Sequence, residues 1–308
     1  MKKLSEGRKM FISIMVIFTV YALFFILFED YDRRFLEPFH EASDWHLLAF
    51  SLVVMVVLAW LLNRYSKRMD ERISRDQQMK QNQMRRELTQ NIAHELKTPV
   101  SSIMGYTDTI LNAPAMDEAT RNKFIARTNA QAHRLSALLQ DISILNKMDY
   151  APDMLRQELV DVSVMVADIV QESEQALAKK QMTFKNFLPQ DISLHGNWQM
   201  LYSIFRNLTD NAINYAGAGT TIELSAERRS KGWHFTFSDN GTGVPEEHLP
   251  RLFERFYRLD KGRSRDLGGT GLGLSIVKNA VQLHGGNITA SNNKGGGLRF
   301  DFMLIQHK

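Results

Sequence analysis

Two long segments without a charged residue constrain this chain of 308 residues more than any other feature. The first covers residues 10–28 and the second covers residues 45–62. A helix that crosses a bilayer needs about 20 apolar residues, within a range of about 17 to 25. Both segments meet this condition, so the sequence predicts two transmembrane helices. The alternatives are a cleaved signal peptide for the first segment and a buried core helix for the second.

The charges that flank these segments predict their orientation. Four basic residues lie within residues 1–9 and five within residues 63–75, whereas residues 29–44 hold six acidic residues and two arginines. Lysine and arginine are enriched on the cytoplasmic side of a membrane helix. We therefore expect residues 1–9 and the rest of the chain after the second helix to be cytoplasmic, and residues 29–44 to form a short extracytoplasmic loop.

The composition excludes several classes of function. The chain has no cysteine, which rules out disulfide scaffolds, thiolate metal sites and cysteine nucleophiles. The net charge is +4, and the excess lies largely beside the predicted membrane helices. This placement favours contact with an anionic lipid bilayer over direct binding of nucleic acid.

Residues 63–150 are predicted to be helical except for one turn. Apolar residues recur at mostly helical spacing, and the sequence NAPAMD at 112–117 is a turn signal. A second helix is predicted over about 118–148. Pro99 lies inside the first helix, where we expect a bend or a loosened turn.

This pattern divides into a helical linker at residues 63–83 and a helical hairpin at residues 84–150. Two helices of this length cannot bury their apolar stripes against each other alone. The hairpin is therefore expected to pair with a second copy as a four-helix bundle, which makes the chain a homodimer.

The last half of the chain, residues 151–308, has a different pattern. Short β-like runs alternate with helical runs, for example at 182–187, 220–227 and 233–239. Glycine becomes frequent after residue 240. The sequence predicts a mixed α/β domain, joined to the hairpin through a linker near residues 149–153.

The first chemical motif is NIAHELKTP at residues 91–99, on the first helix of the hairpin. A neutral imidazole is a good nucleophile toward a phosphoryl group, and a neighbouring carboxylate can accept its Nδ1 proton. His94 and Glu95 provide this pair, and Thr98 lies one turn later on the face of His94. The alternative is that His94 is an ordinary residue of an amphipathic helix.

The second group of motifs lies in the α/β domain. Asn207 and Asn211 are one helical turn apart, and their amide oxygens suit Mg²⁺. Asp239 follows a strand and offers an acceptor for an exocyclic amine. The sequence GGTGLGLSIV at 268–277 is a glycine loop that enters an apolar helix, an arrangement that presents N–H groups to phosphate. The spacing fits neither a P-loop nor a dinucleotide fingerprint. Each motif alone is a weak signal, and the glycine loop alone could be a flexible turn.

The order of these motifs resembles the membrane-bound sensor histidine kinases of two-component systems, in particular the phosphate-regulon-sensor-like branch. Six segments match the H, N, G1, F, G2 and G3 boxes of this family in the correct order. They are HELKTP (94–99), NLTDNAINYA (207–216), DNGTGVP (239–245), LFERFYR (252–258), GGTGLGL (268–274) and GGG (295–297).

This resemblance implies a role for each matching residue. His94 is the implied phosphoacceptor, Glu95 its base, and Thr98 a residue that positions water for dephosphorylation. Asn211 is the implied Mg²⁺ ligand, and residues 244–270 are the implied lid over ATP. Phe253 and Phe256 are expected to pack the lid. The nucleotide-binding set is Asn207, Asn211, Tyr215, Asp239, Gly241, Gly243, Arg258, Gly269, Thr270, Gly271, Leu272 and Gly273.

The implied fold is a membrane hairpin, a dimeric four-helix bundle and a Bergerat-type α/β sandwich that binds ATP. The implied activity is autophosphorylation of histidine, transfer to an aspartate of a response regulator, and dephosphorylation of that regulator, at a bacterial cytoplasmic membrane. Two departures from the family occur: Asn214 replaces a common basic residue, and Asn197 replaces an aspartate that begins a helix. The rival interpretations are an ATP-driven machine of the gyrase or MutL type and a non-catalytic receptor.

Overall fold

The computed structural model describes residues 43–150, 156–259 and 269–305. The chain divides into two compact units, residues 1–83 and residues 84–308. The predicted first membrane segment at 10–28 and nearly all of the predicted loop lie outside the described residues.

Helix α1 covers Ser43–Asn112 and contains the second predicted membrane segment, residues 45–62. Its side chains are described from residue 52 onward, apart from a few positions near residue 82. Among the described residues, no helix has a stretch that is both long enough and apolar enough to cross a membrane. Helix α1 continues through Pro99, whose side chain is buried, rather than ending there.

The helical hairpin consists of α1 from residue 84 onward and α2, which covers Glu118–Tyr150. The predicted second helix is therefore confirmed. Its start is stabilised by Asp117, whose carboxylate accepts a hydrogen bond from the Thr120 backbone N–H at 2.8 Å. This bond lowers the pKa of Asp117 below its usual value.

Among the described residues, the α/β domain contains seven strands, three α-helices and one short 3-10 helix at Glu246–Arg251. Its small sheet pairs β1 with β3 in antiparallel fashion, and its large sheet has the order β2-β4-β5-β7-β6, in which only β2 and β4 are parallel. The elements are β1 (Glu158–Asp161), α3 (Val162–Lys179), β2 (Thr183–Phe187), β3 (Ser193–Gly196), α4 (Trp198–Tyr215), β4 (Thr221–Arg229), β5 (Gly232–Asp239), α5 (Gly273–Leu283), β6 (Ile288–Asn292) and β7 (Leu298–Ile305). The three strands predicted from the sequence correspond to β2, β4 and β5.

One face of the large sheet forms the core of the domain. Buried and partly buried residues alternate along β5 and β7, as expected for strands with one covered face. Phe205 of α4 contacts Phe235 edge-on at a centroid distance of 5.4 Å, and Phe235 stacks on Phe302 at 5.2 Å. Helices α4 and α5 also pack against each other. These contacts fix the two helices that carry the predicted nucleotide-binding residues.

Two residues join the start of α4 to the end of α5. Asn197 caps α4 as expected, because its Oδ1 accepts a hydrogen bond from the Met200 N–H at 3.1 Å. The Asn197 N–H in turn donates to Nε2 of the buried His284, at 3.2 Å. Nδ1 of His284 lies 2.7 Å from the Ala280 carbonyl oxygen. Since Nε2 accepts this hydrogen bond and Nδ1 faces a carbonyl oxygen, to which it can only donate, the imidazole is the neutral Nδ1–H tautomer.

Candidate active site

The predicted phosphoacceptor lies on the surface of the hairpin. The His94 side chain is exposed, and Thr98 lies one turn further along α1. The Thr98 hydroxyl donates a hydrogen bond to the His94 carbonyl oxygen at 3.3 Å. Bonds of this kind hold a threonine side chain against its own helix, so the hydroxyl is oriented toward the turn that begins at His94.

Glu95 lies between two arginines that belong to different parts of the chain. Its Oε2 is 3.2 Å from Nη2 of Arg258, in the α/β domain, and 3.8 Å from Nη2 of Arg134, on α2. All three side chains are mostly buried, with exposed fractions of 17% for Glu95, 7% for Arg258 and 13% for Arg134. The carboxylate predicted to serve His94 is therefore engaged by Arg258 in this arrangement.

Arg258 also contacts the loop that the sequence assigns to phosphate. Its Nη2 donates to the carbonyl oxygen of Gly269 at 2.6 Å, whereas its buried Nε has no hydrogen-bond partner among the described residues. A buried donor without an acceptor costs about 1–3 kcal/mol. A guanidinium group with an unpaired donor beside a glycine loop has the chemistry expected of a phosphate contact.

Thr270 joins the same loop to the hairpin. Its Oγ1 donates to Oδ2 of Asp141 on α2 at 2.7 Å and accepts from the Leu272 N–H at 3.2 Å. Burial raises the pKa of Asp141, and the negative charge of Asp210 raises it further, while the hydrogen bond from Thr270 opposes these effects. Thr270 was predicted to bind nucleotide, and in this arrangement its hydroxyl proton is committed to Asp141.

A third polar contact and an apolar stripe complete the junction of hairpin and α/β domain. Arg255 pairs with Asp149 at 2.9 Å. Leu138, Leu145 and Met148 of α2 are buried within the same apolar core as residues of the α/β domain. The residues of α2 that face this domain recur at intervals of three, four and seven, which is the spacing of one helical face.

Asp239 lies at the end of β5 in a rigid setting. It is 8% exposed, and its Oδ1 accepts hydrogen bonds from the Gly241 N–H at 2.9 Å and the Leu298 N–H at 3.3 Å. Burial raises the pKa of Asp239, and both hydrogen bonds oppose this effect. Its Oδ2 makes no hydrogen bond with a described residue, so it is available to an amine of a ligand.

Gly241 and Gly243 follow Asp239, and both are close to other backbone or side-chain atoms. A Cβ at Gly241 would stand 2.2 Å from the Ala216 carbonyl oxygen, so no other residue fits there without a backbone shift. Gly243 lies against Asn292, which is hydrogen-bonded to the backbone of Val244. Tyr215, at the end of α4, is 44% exposed.

The two asparagines of α4 are in different situations. Asn207 donates from Nδ2 to the Ser203 carbonyl oxygen at 2.7 Å, and its Oδ1 faces Gly273, 2.6 Å from where a Cβ would stand. Asn211 makes no hydrogen bond within the described part of the chain, so its amide oxygen is free to bind a cation. Among the described residues no group of three or more histidines and carboxylates could hold a metal ion.

The segment between β5 and α5 is described in part, because residues 260–268 of the predicted lid lie outside the described residues. Phe253 packs edge-on against Phe300 at a centroid distance of 6.2 Å, and Phe256 packs against the same core, as expected for residues that pack the lid. Phe256 has a φ of 62° and donates its N–H to the Gly271 carbonyl oxygen at 2.8 Å. His248 and Tyr257 are hydrogen-bonded at 2.5 Å. The last two contacts hold Phe256 and Tyr257, the two residues before Arg258, in place.

The chain matches two family models. Residues 84–151 match the His Kinase A phospho-acceptor domain, and residues 196–307 match the ATPase domain described as histidine kinase-, DNA gyrase B- and HSP90-like. His94 and Glu95 fall within the first match. The asparagines of α4, Asp239 and the glycine loop fall within the second.

Individual proteins show the same similarity. The chain is 32% identical over 223 residues to the sensor-like histidine kinase SenX3 of Mycolicibacterium smegmatis, covering 72% of this chain and 58% of that protein. It is 32% identical over 216 residues to the sensor protein kinase WalK of Staphylococcus aureus, covering 69% of this chain and 52% of that protein. The chain thus spans less than two thirds of the length of these relatives.

A solved structure supports the fold. The histidine kinase AdeS of Acinetobacter baumannii aligns with a TM-score of 0.57 at 24% identity, over 70% of this chain and 98% of that one. At this level of identity the similarity concerns the fold.

Sequence reasoning did not identify Arg134 and Asp141. Both are ordinary charged residues on an amphipathic helix, and no motif includes them. Their seven-residue spacing, shared with Leu138 and Leu145, was the available signal that this face of α2 is covered.

Proposed function

We propose that this chain, whose two matched domains are those of the sensor histidine kinases of two-component systems, transfers a phosphoryl group from ATP to its own His94. The observation that carries the proposal is the pair formed by Glu95 and Arg258. It joins the residue next to the phosphoacceptor to the loop expected to hold the triphosphate. The hairpin and the α/β domain are therefore suited to exchange a phosphoryl group.

Each group has a defined task in this proposal. The Asp239 carboxylate accepts a hydrogen bond from the exocyclic amine of adenine, and the N–H groups at the start of α5 donate hydrogen bonds to phosphate oxygens. Asn211 is the amide that would hold Mg²⁺, which supplies positive charge to the phosphates when bound. Nε2 of His94 attacks the γ-phosphorus while the bond from that phosphorus to the β,γ-bridging oxygen breaks and ADP leaves. Glu95, once released from Arg258, accepts the Nδ1 proton.

The substitution His94→Gln tests the acceptor. It should abolish autophosphorylation and leave the affinity for ATP unchanged, because the nucleotide residues lie in the other domain. Incorporation of radiolabel from γ-labelled ATP measures the first property, and a fluorescent ATP analogue measures the second. His133→Gln, at an exposed histidine of α2, is the matched control and should label normally. Alkali-stable label retained on the His94→Gln chain would contradict the assignment.

The substitution Asn211→Ala tests the cation ligand. It should weaken binding of ATP in the presence of Mg²⁺ by roughly tenfold or more, the size of effect seen when a metal site is disturbed. Binding measured in EDTA should change far less. Asn287→Ala, at an exposed residue of the same domain, provides the control. An unchanged affinity in Mg²⁺ would remove Asn211 from the metal site.

We also propose that phosphohistidine passes its phosphoryl group to an aspartate of a response regulator, and that the chain dephosphorylates this regulator. The structure of a histidine kinase named ThkA in complex with the response regulator TrrA provides a parallel for such a partner. Thr98 is the residue proposed to orient the hydrolytic water, since its hydroxyl lies on the turn that begins at His94.

The substitution Thr98→Ala should reduce regulator dephosphorylation and retain autophosphorylation. Thr98→Ser keeps a hydroxyl and should retain both activities. Both reactions can be followed with the purified cognate regulator and the full chain. An equal loss of both activities in the alanine variant would indicate that Thr98 instead maintains the helix before Pro99.

A homodimer and a bilayer are further parts of the proposal. Several large apolar side chains of the hairpin are exposed in one copy, which favours burial against a second copy. They are Val100, Met104, Leu111, Ile125 and Leu139. Sedimentation at twice the monomer mass would test this.

The apolar side chains of α1 between residues 52 and 61 are exposed as well, which favours lipid as their surroundings.

The absence of cysteine makes the proposed topology directly testable. Single cysteines can be introduced as Ser5→Cys, His40→Cys and Ser74→Cys. In intact cells, a membrane-impermeant maleimide should label only His40→Cys, because residues 29–44 are proposed to face outward. All three should react after permeabilisation. Labelling of Ser5→Cys or Ser74→Cys in intact cells would reverse the proposed orientation.

A further inference from the structure

The Thr270 hydroxyl has a single proton to donate, and this limits what the glycine loop can bind. A threonine hydroxyl offers one donor and two acceptor positions. In this structure Oγ1 accepts from the Leu272 N–H, and its one donor is directed to Oδ2 of Asp141. A nucleotide phosphate has only acceptor oxygens at neutral pH. Thr270 therefore cannot donate to Asp141 and to a phosphate oxygen at the same time.

Asp141 is placed in an environment that does not favour a free carboxylate. It lies on the face of α2 that is covered by the α/β domain, between the buried residues Leu138 and Leu145. Asp210 of α4 adds a second negative charge nearby, itself paired with Arg206 at 3.0 Å. Among the described residues, the hydrogen bond from Thr270 is the one that the Asp141 carboxylate accepts, and it offsets part of the cost of burial.

We infer that Asp141 is a positioning residue that takes the Thr270 hydroxyl in the place of a nucleotide phosphate, so that docking of the α/β domain on α2 competes with nucleotide binding. The inference rests on the proposed function, since it requires the glycine loop to bind a triphosphate. Its consequence is reciprocal: docking weakens nucleotide binding, and bound nucleotide releases the α/β domain from α2 by the same factor.

The contact between Arg258 and Glu95 also uses a donor that suits phosphate, but it excludes a phosphate less strictly than the contact between Thr270 and Asp141 does. Arg258 offers five N–H donors, and within the described residues its hydrogen bonds to Glu95 and Gly269 both use Nη2. A guanidinium group can therefore bind a phosphate while it still contacts a carboxylate. The Thr270 side chain has no second donor. Asp141 is consequently the residue whose removal should affect nucleotide affinity most directly.

The experiment measures the affinity of the full chain for a fluorescent ATP analogue in Mg²⁺. The Asp141→Ala chain should bind roughly fivefold more tightly than the unmodified chain, because the competing acceptor has been removed. Asp141→Asn keeps an acceptor oxygen without the charge and should show a smaller gain. Asp108→Asn removes an exposed carboxylate of the same hairpin and should leave the affinity unchanged.

A double-mutant cycle separates this mechanism from a general change in charge. In the Thr270→Ala background, Asp141→Ala should produce no gain, because no hydroxyl remains to be shared. A gain of equal size with and without the Thr270 hydroxyl would overturn the inference and would indicate electrostatic repulsion of the triphosphate by Asp141. An affinity of Asp141→Ala equal to that of the unmodified chain would overturn it as well.

Failure of the proposed function would produce a different result. If the unmodified chain and all variants failed to bind the ATP analogue while remaining folded by circular dichroism, the assignment of the glycine loop to nucleotide would be wrong. If the unmodified chain bound the analogue and the cycle showed no coupling between Asp141 and Thr270, the kinase assignment would stand and the competition would be excluded.

Discussion

The packing of α4 and α5 on one face of the five-stranded sheet is the constraint on which the rest of the α/β domain depends. The aromatic contacts of Phe205 and Phe235 hold α4 on the sheet, and His284 joins the end of α5 to the start of α4. These contacts bring Asn211, Asp239 and the glycine loop into one region, although they come from three separate elements. The proposed adenine end of the site is thus formed by residues that the core of the domain holds in place.

The phosphate end of the site is arranged differently. Arg258 and Thr270 use donors that suit phosphate, and both are bound to carboxylates of the hairpin. Carboxylate and phosphate oxygens are similar acceptors, so a hairpin that carries Glu95 and Asp141 presents the loop with an internal substitute for its ligand. The two ends of the proposed site therefore differ. The residues of the adenine end are held by the core of the α/β domain, whereas Arg258 and Thr270 of the phosphate end also bind the hairpin.

Much of this organisation could be predicted from the sequence. Alternating and helical apolar patterns predicted β2, β4, β5, α4 and the second helix of the hairpin, and the Asn197 cap was expected from its residue type. The chemical motifs predicted a nucleotide site from glycine and amide residues that recur in a characteristic order, and this assignment of residues stays a prediction. Local pattern was sufficient wherever one element alone determines the position of a residue.

The junction between the domains could not be predicted, because it depends on contacts across more than a hundred residues. Arg258 meets Glu95 from 163 positions away, and Thr270 meets Asp141 from 129 positions away. Burying such charged groups is costly, and pairing them repays that cost only in part, so a docked arrangement held by them is readily exchanged for another. A purely apolar interface would hold the two domains together equally well with and without bound nucleotide. Because Glu95 and Asp141 present acceptor oxygens like those of phosphate, the contact between hairpin and α/β domain becomes sensitive to a bound nucleotide.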